Sequence, residues 1–396
     1  MRLLSPLINA LAPLGIPLAW RQLTRDRKRF LTAIAGVTFG VVLMLYQVGL
    51  YTAANRMVVF PHLALKGEIV VTSRNYDNFY ANRAFSKRIL QQVLAFPEVL
   101  SVAPMGMEFL RWKNTDTGVD KIIGILSINP AQNPFVLPGV VQGAGTLTDA
   151  ESVLFDDQSS KADFGDVSGA FRKKGEVASE IDHSRVRVKG LFSMGQTLAG
   201  TGHLVISDQA MGRVNPKRSA NMINFGLVTL RSGTDPASLA GRIAAALPQD
   251  VRVITAEQFR REEQAYWISR TAIGFICLAG MLVGMFVGGI VVYQILYTDV
   301  TDHLREYATL KAMGVTDLFL FGIVMTEALI LLLAASLPST VLTALMFRVT
   351  WIGSGMPTEL NLLELLAVFA LAALMCVVAG ALATRKLKTA DPADIF

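Results

Sequence analysis

The first side chain that demands a chemical account is Glu327, a carboxylate set well inside the apolar run 318–347. Near the centre of a bilayer an ionised carboxylate costs roughly 2.5–3.5 kcal/mol on insertion scales, so such a residue must face protein or reach outward. An intramembrane acid is by default a transport-site candidate. The other reactive side chains build no motif. Cys277 and Cys376 both lie in hydrophobic runs, so they cannot staple the polar part of the chain, and they lack metal-ligand spacing. His62, His183, His203 and His303 are isolated in sequence, without HExxH or a comparable pattern, which gives no expectation of a metal site. There is no GxxxxGK[ST] phosphate loop, nucleophile elbow or zincin signature, so no catalytic residue is expected.

A second stretch, residues 302–314 with the sequence DHLREYATLKAMG, lies between two long hydrophobic runs. Leu304, Ala308 and Lys311 fall on one helical stripe, with Tyr307 and Leu310 close beside it. Asp302 at the start and Lys311 in the last turn complement a helix dipole. Gly314 suits a left-handed C′ position, with Val315 as its hydrophobic contact. The spacing predicts a short helix on one membrane surface. Spacing alone favours an ordinary interhelical loop.

The elements that hold these residues follow from hydropathy. Hydrophobic residues make up 52% of the 396, and charged residues 17%, a balance that fits membrane spans joined to a water-facing domain. The net charge of +6 does not indicate nucleic acid, because the basic residues are dispersed and are densest at Arg21, Arg25, Arg27, Lys28 and Arg29, beside the first span. Residues 30–51, 271–297, 318–347 and 362–383 are each long enough to cross a hydrocarbon core of roughly 30 Å. Residues 1–29 read as an uncleaved interfacial elbow despite Ala10-Leu11-Ala12, because Pro6, Pro13 and Pro17 break the apolar run and basic residues follow it. Gly36 and Gly40 in the first span, and Gly280, Gly284 and Gly288 in the second, form small-xxx-small patterns for close helix packing. Pro338 is expected to kink or end the third span.

Residues 52–266 carry strand patterns at 68–73, 121–128, 186–192 and 203–207. Two βαβ-like units bracket this region, 69–104 and 226–255, which points to ferredoxin-like α+β packing around a looser β-rich middle. In the second unit the helix from Pro236 should bury Leu239, Ile243, Ala246 and Leu247. Residues from Ala256 read as a charged helix running straight into the second span as a rigid lever. The expected fold class is therefore four transmembrane helices plus an α+β extracytoplasmic domain. Residues 298–317 form a cytoplasmic coupling loop, 348–361 a short outer loop and 384–396 a cytoplasmic tail. Lys and Arg counts put both termini and the coupling loop inside and residues 52–266 outside.

The run Arg305, Glu306, Thr309, Leu310, Lys311, Ala312, Gly314, followed by Glu327-Ala328, resembles FtsX-like and MacB-like ABC transporter permeases. Within that family the likeness is nearest to DevC-type heterocyst glycolipid exporter permeases, through Trp20-Arg21-Gln22-Leu23, Leu43-Met44 with Gln47, residues 306–314 and Asp391-Pro392-Ala393. The resemblance implies that the short helix docks on a cytoplasmic ABC ATPase, with Arg305, Glu306, Leu310, Lys311 and Gly314 as the coupling residues. It also implies a structural role for Glu327, shared whatever cargo is moved. ATP and Mg would bind the partner ATPase, and this chain would bind no cofactor.

The implied assembly is a homodimer in the bacterial inner membrane, among membrane lipids, joined to a periplasmic membrane-fusion adaptor and an outer-membrane channel for export of lipid-like or amphiphilic cargo. A non-transporting mechanotransmitter that activates an extracytoplasmic cell-wall hydrolase, or a lipoprotein-release permease, is compatible with the same residues. No residue of the domain's middle section matches a substrate contact.

Overall fold

The computed structural model describes residues 26–384, without the side chains of Ala312 and Asp317. The expected elbow and tail lie almost wholly outside the described residues. The chain divides into two compact units. Among the described residues one comprises 26–53, 273–354 and 358–384; the other comprises 54–272 and 355–357.

Asp26 opens helix α1 (Arg27–Leu63) by accepting the backbone N–H groups of Lys28 and Arg29. The polar unit then runs β1 (Ile69–Ser73), β2 (Phe85–Ser86), α2 (Ile89–Leu94), β3 (Val99–Lys113), β4 (Asp120–Ile128), α3 (Pro138–Gly143), β5 (Ser152–Asp156), α4 (Lys161–Phe164) and α5 (Val167–Lys174). It continues through β6 (Val177–Ile181), β7 (Ser184–Phe192), β8 (His203–Ser207), α6 (Asp208–Val214), β9 (Met222–Ile223), β10 (Phe225–Leu230), α7 (Pro236–Ala246), β11 (Val251–Thr255) and α8 (Ala256–Ala265). Nine strands form one sheet in the order β11-β1-β10-β3-β4-β8-β5-β7-β6.

The first four of these strands are a βαββαβ arrangement, antiparallel throughout, with α2 and α7 as its crossovers. Asp235 caps α7 by accepting from Ala237 and Ser238, Pro236 occupies the first turn, and Pro248 follows the end. Leu239 and Ile243 are buried against Ile69, Val71 and Val102. Ala240, rather than Ala246, completes that buried stripe. The first crossover helix begins only at Ile89, because Phe85 and Ser86 pair with Ile223 and Met222. In the middle section Trp112 lies opposite Ile181, so β3, β4, β8, β5, β7 and β6 close on themselves. Trp112, Phe155, Phe164 and Val188 fill the interior.

The expected continuous lever is interrupted. A capping box between Thr255 and Gln258 starts α8, but Tyr266–Arg270 widen into a π-helical turn, and Thr271 is extended at φ −105°, ψ 163°. A new helix, α9 (Ala272–Asp302), follows that break. The remaining helices are α10 (Leu304–Ala312), α11 (Asp317–Ser354) and α12 (Leu362–Ala383). Among the described residues four helices, α1, α9, α11 and α12, are long and apolar enough to cross a membrane. Pro338 sits inside α11 without ending it, and the helix persists to Ser354, beyond the apolar run; Gly355, at φ +67°, is where it stops. These helices share a core of Val37, Val41 and Met44 from α1, Val292 and Leu296 from α9, Val324 and Leu331 from α11, and Ala372 and Cys376 from α12.

Candidate functional site

Helix α9 continues to Asp302, and a single residue, His303 at φ −102°, ψ 14°, separates it from α10. Hydrogen bonding crosses the junction, with Tyr307 N–H donating to the His303 carbonyl at 3.0 Å. Tyr307 and Ala308 are buried, and Leu304, Leu310 and Val315 pack against the helical core. Arg305, Glu306, Thr309 and Met313 point outward, while Lys311 is half-buried. The helix is thus fixed on one face and presents a cation, an anion, a hydroxyl and a thioether on the other. Leu310 belongs mainly to the inner face. It supports the helix more than it offers an apolar contact to a partner.

The end of α10 is a Schellman cap. Gly314 N–H donates to the Lys311 carbonyl at 3.0 Å, and Val315 N–H reaches the Leu310 carbonyl at 3.1 Å. Gly314 has φ +95°, and a Cβ there would meet nothing within 4 Å, so backbone conformation rather than crowding requires glycine. At the other end Asp302 does not cap α10. Its carboxylate meets the Arg29 guanidinium at 2.6 Å, tying the start of α1 to the root of the short helix.

Glu327 is fully buried, and its carboxyl neighbours that of Asp299, itself buried on α9. No N–H or O–H donor among the described residues reaches the Glu327 carboxyl oxygens. His303 Nδ1 is 3.6 Å from Asp299 Oδ1 and 3.0 Å from the Asp299 carbonyl oxygen. The intramembrane acid therefore adjoins the last turn of α9, one turn before α10 begins. Asp299 was overlooked in the sequence, although its i,i+4 spacing to His303 on a helix is a readable signal.

The glycines lie where α1 and α9 cross. A Cβ on Gly40 would stand 2.7 Å from Gly288 Cα and 3.2 Å from the Gly284 carbonyl oxygen. Gly284 faces Leu43 and Met44, and Gly36 faces Val291. Gly280 faces the end of the Gln47 side chain. The partner of the second-span seam is the first span of the same chain.

In the polar unit a further acid escaped the sequence reading. Glu263 of α8 is buried, accepting from the Tyr76 hydroxyl, the Phe79 N–H at 2.8 Å and the Trp267 indole N–H at 2.8 Å. His62 Nε2 is 3.8 Å away, its ring edge-on to Phe79 and Phe259. Burial pushes the Glu263 carboxyl above the ordinary carboxylate range, against the pull of those donors. A similar pair, His203 with Asp156 at 3.8 Å, is closed inside the sheet. Among the described residues no group of three His, Cys, Asp or Glu side chains converges as a metal site.

Residues 278–392 match the family model of the FtsX-like permease C-terminal. That stretch contains α10, Glu327, Gly280, Gly284 and Gly288. Among curated proteins no sequence matches the chain. The structure is similar to the periplasmic region of MacB from Actinobacillus actinomycetemcomitans, at 11% identity and a TM-score of 0.36, covering 50% of this chain and 92% of that one. It is also similar to the extracellular domain of the noncanonic ABC-type transporter YknZ from Gram-positive bacteria, at 14% identity and a TM-score of 0.34, covering 47% and 98%. Likenesses of that size carry nothing about activity. The matched stretch begins within α9 and includes all of α10, α11 and α12.

Proposed function

We propose that the chain is the permease subunit of an ATP-driven exporter of the FtsX-like, MacB-like type, with ATP hydrolysed by a separate ABC ATPase. The observation that carries this reading is α10: a short helix within the FtsX-like segment, anchored on one face by Tyr307 and Ala308, capped at Gly314, and displaying Arg305, Glu306, Thr309 and Met313. Such a face offers paired charges to a docking cleft, while its buried side passes displacement into α9 and α11. The nearest subtype is the DevC-like exporter permease. The proposed assembly is an inner-membrane homodimer with a periplasmic adaptor and an outer-membrane channel, moving lipid-like or amphiphilic cargo.

Pull-down of the full chain from detergent-solubilised membranes tests the reading. The expected result is co-purification of an ABC ATPase, abolished by Arg305→Glu combined with Glu306→Arg, together with an adaptor protein. Recovery of the ATPase with a cell-wall hydrolase instead of an adaptor would replace export with mechanotransmission, and release of lipoprotein by the purified pair would replace it with lipoprotein extraction. Absence of any ATPase from wild-type pull-downs would overturn the proposal.

A further inference from the structure

Between α9 and α12 lies a groove of about 840 Å³ whose lining runs from Met285 to Tyr297 on one helix and from Leu371 to Leu382 on the other. That volume falls within the roughly 300–1,000 Å³ of sites that enclose drug-sized ligands. Its floor is Gly289, Met375 and Ala379; its rims include Phe286, Ile290 and Val378, each more than half exposed. Gly289 creates the depth: it has no side chain, and its nearest neighbour across the floor is Met375.

We infer that this groove holds one acyl chain of a phospholipid from the cytoplasmic leaflet. Its length argues for that occupant. At 1.5 Å per residue the lining extends about 18 Å along α9, close to the ~15 Å that one leaflet contributes to the hydrocarbon core. Both stretches occupy the halves of their helices that lead toward α10 and toward the basic segment after α12. Tyr293 and Tyr297, ring centroids 5.6 Å apart, lie at that end, the level at which aromatic rings with a polar tip meet lipid headgroups. A second copy of the chain fits less well. The small-residue face of α9 is already used by α1, and the bulky rims hold another helix away from the floor. Retention comes from dispersion contacts on three sides of the chain, since leaving bulk lipid for the groove gains no hydrophobic transfer. The choice of leaflet rests on the topology proposed above; the groove itself does not.

The test uses the full chain in vesicles of phosphatidylethanolamine and phosphatidylglycerol, doped with a phosphatidylethanolamine bearing a diazirine on one acyl chain. Photoadducts are mapped by peptide mass spectrometry. Adducts should concentrate at Met375 and Ala379 relative to Leu333 and Leu337, which are highly exposed on α11. Ala379→Phe, or Gly289→Leu should the first variant misfold, should lower groove adducts about tenfold, the equivalent of losing roughly ten carbon–carbon contacts. Labelling at Leu333 reports insertion and should stay constant. Equal adducts at groove and Leu333 would reduce the occupant to ordinary boundary lipid and overturn the inference. Disulfide-linked dimers from Ile290→Cys without groove adducts would assign the surface to a second copy and overturn it as well. With orientation fixed by protease access to residues 54–272, adducts formed only from probe in the leaflet on that same side would overturn the leaflet assignment, while leaving an acyl chain in the groove.

Discussion

Three residues make separable predictions. Gly314 is held by φ +95° in open space, so a β-branched side chain is penalised by the backbone alone, about 1–2 kcal/mol, whereas Asn tolerates the left-handed region. Gly314→Val is expected to insert and bind the ATPase but fail to couple hydrolysis to export, and Gly314→Asn to retain most coupling. ATPase stimulation and export measured together decide this, and normal export by the Val variant would remove the cap from the coupling role. Glu327→Gln supplies Asp299 with an N–H donor, which a carboxylate cannot, whereas Glu327→Ala leaves a buried acid beside a void. A melting comparison in detergent should find the Gln variant near wild type and the Ala variant weaker by about 1–3 kcal/mol. Glu263 has its carboxyl raised by burial, so the stability it contributes is complete below the unfolded glutamate value of about 4.3 and is lost as pH rises through the raised value. Glu263→Gln should flatten that part of the stability–pH profile, and an unchanged slope would show that another group sets it. The sequence exposed Gly314 and Glu327 because each stands out locally, as a helix stop and as a charge in an apolar run. Glu263 stayed hidden within a charged helix, since its donors Tyr76 and Phe79 come from a distant segment that only the tertiary fold brings near.

At the scale of elements, the helix crossing at Gly40 allows a graded test. A methyl at Gly40 must displace backbone of α9, whereas one at Gly280 meets only the end of the Gln47 side chain. Gly40→Ala should therefore destabilise the helical unit by about 1–3 kcal/mol and Gly280→Ala by clearly less, as read by thermal aggregation of the solubilised chain. Equal losses would mean that the two helices adjust by sliding. The repeat was legible from spacing, but its partner was not, because small-xxx-small patterns state how closely a helix can be approached without naming what approaches. The full length of β3 is hidden from the sequence for a related reason. Pro104 and Gly106 look like a stop, yet the strand changes neighbours there, pairing β10 through Met105 and β4 from Met105 to Lys113. The break after α8 had no clear signature either, since Tyr266–Arg270 contains neither Gly nor Pro, and the wider turn is a matter of local packing.

For the whole molecule, hydropathy was sufficient to separate four helical spans from an α+β domain, because burial in lipid and burial in a sheet leave different periodicities. It did not reveal how little room the spans leave. Gly40, Gly284 and Gly288 bring α1 and α9 into backbone contact, and the core they share with α11 and α12 is mostly apolar, with Thr38, Ser339 and Thr343 buried besides the Asp299–Glu327 pair. A polar or amphiphilic cargo crossing this bundle would need polar groups along its path, and few are present. The expectation is that cargo is taken up by the extracytoplasmic domain and never threads between these helices. Photoreactive residues replacing Val287 on α9 should then capture no cargo during ATP turnover, while those replacing Leu100 or Ile122, both exposed on the domain, should capture it. Lipid adducts at Ile290 on the groove rim would be unaffected by ATP, because a resident acyl chain is not the transported species. Turnover-dependent cargo capture at Val287, with none at Leu100 or Ile122, would instead put the route through the spans and require α1 and α9 to part at Gly40.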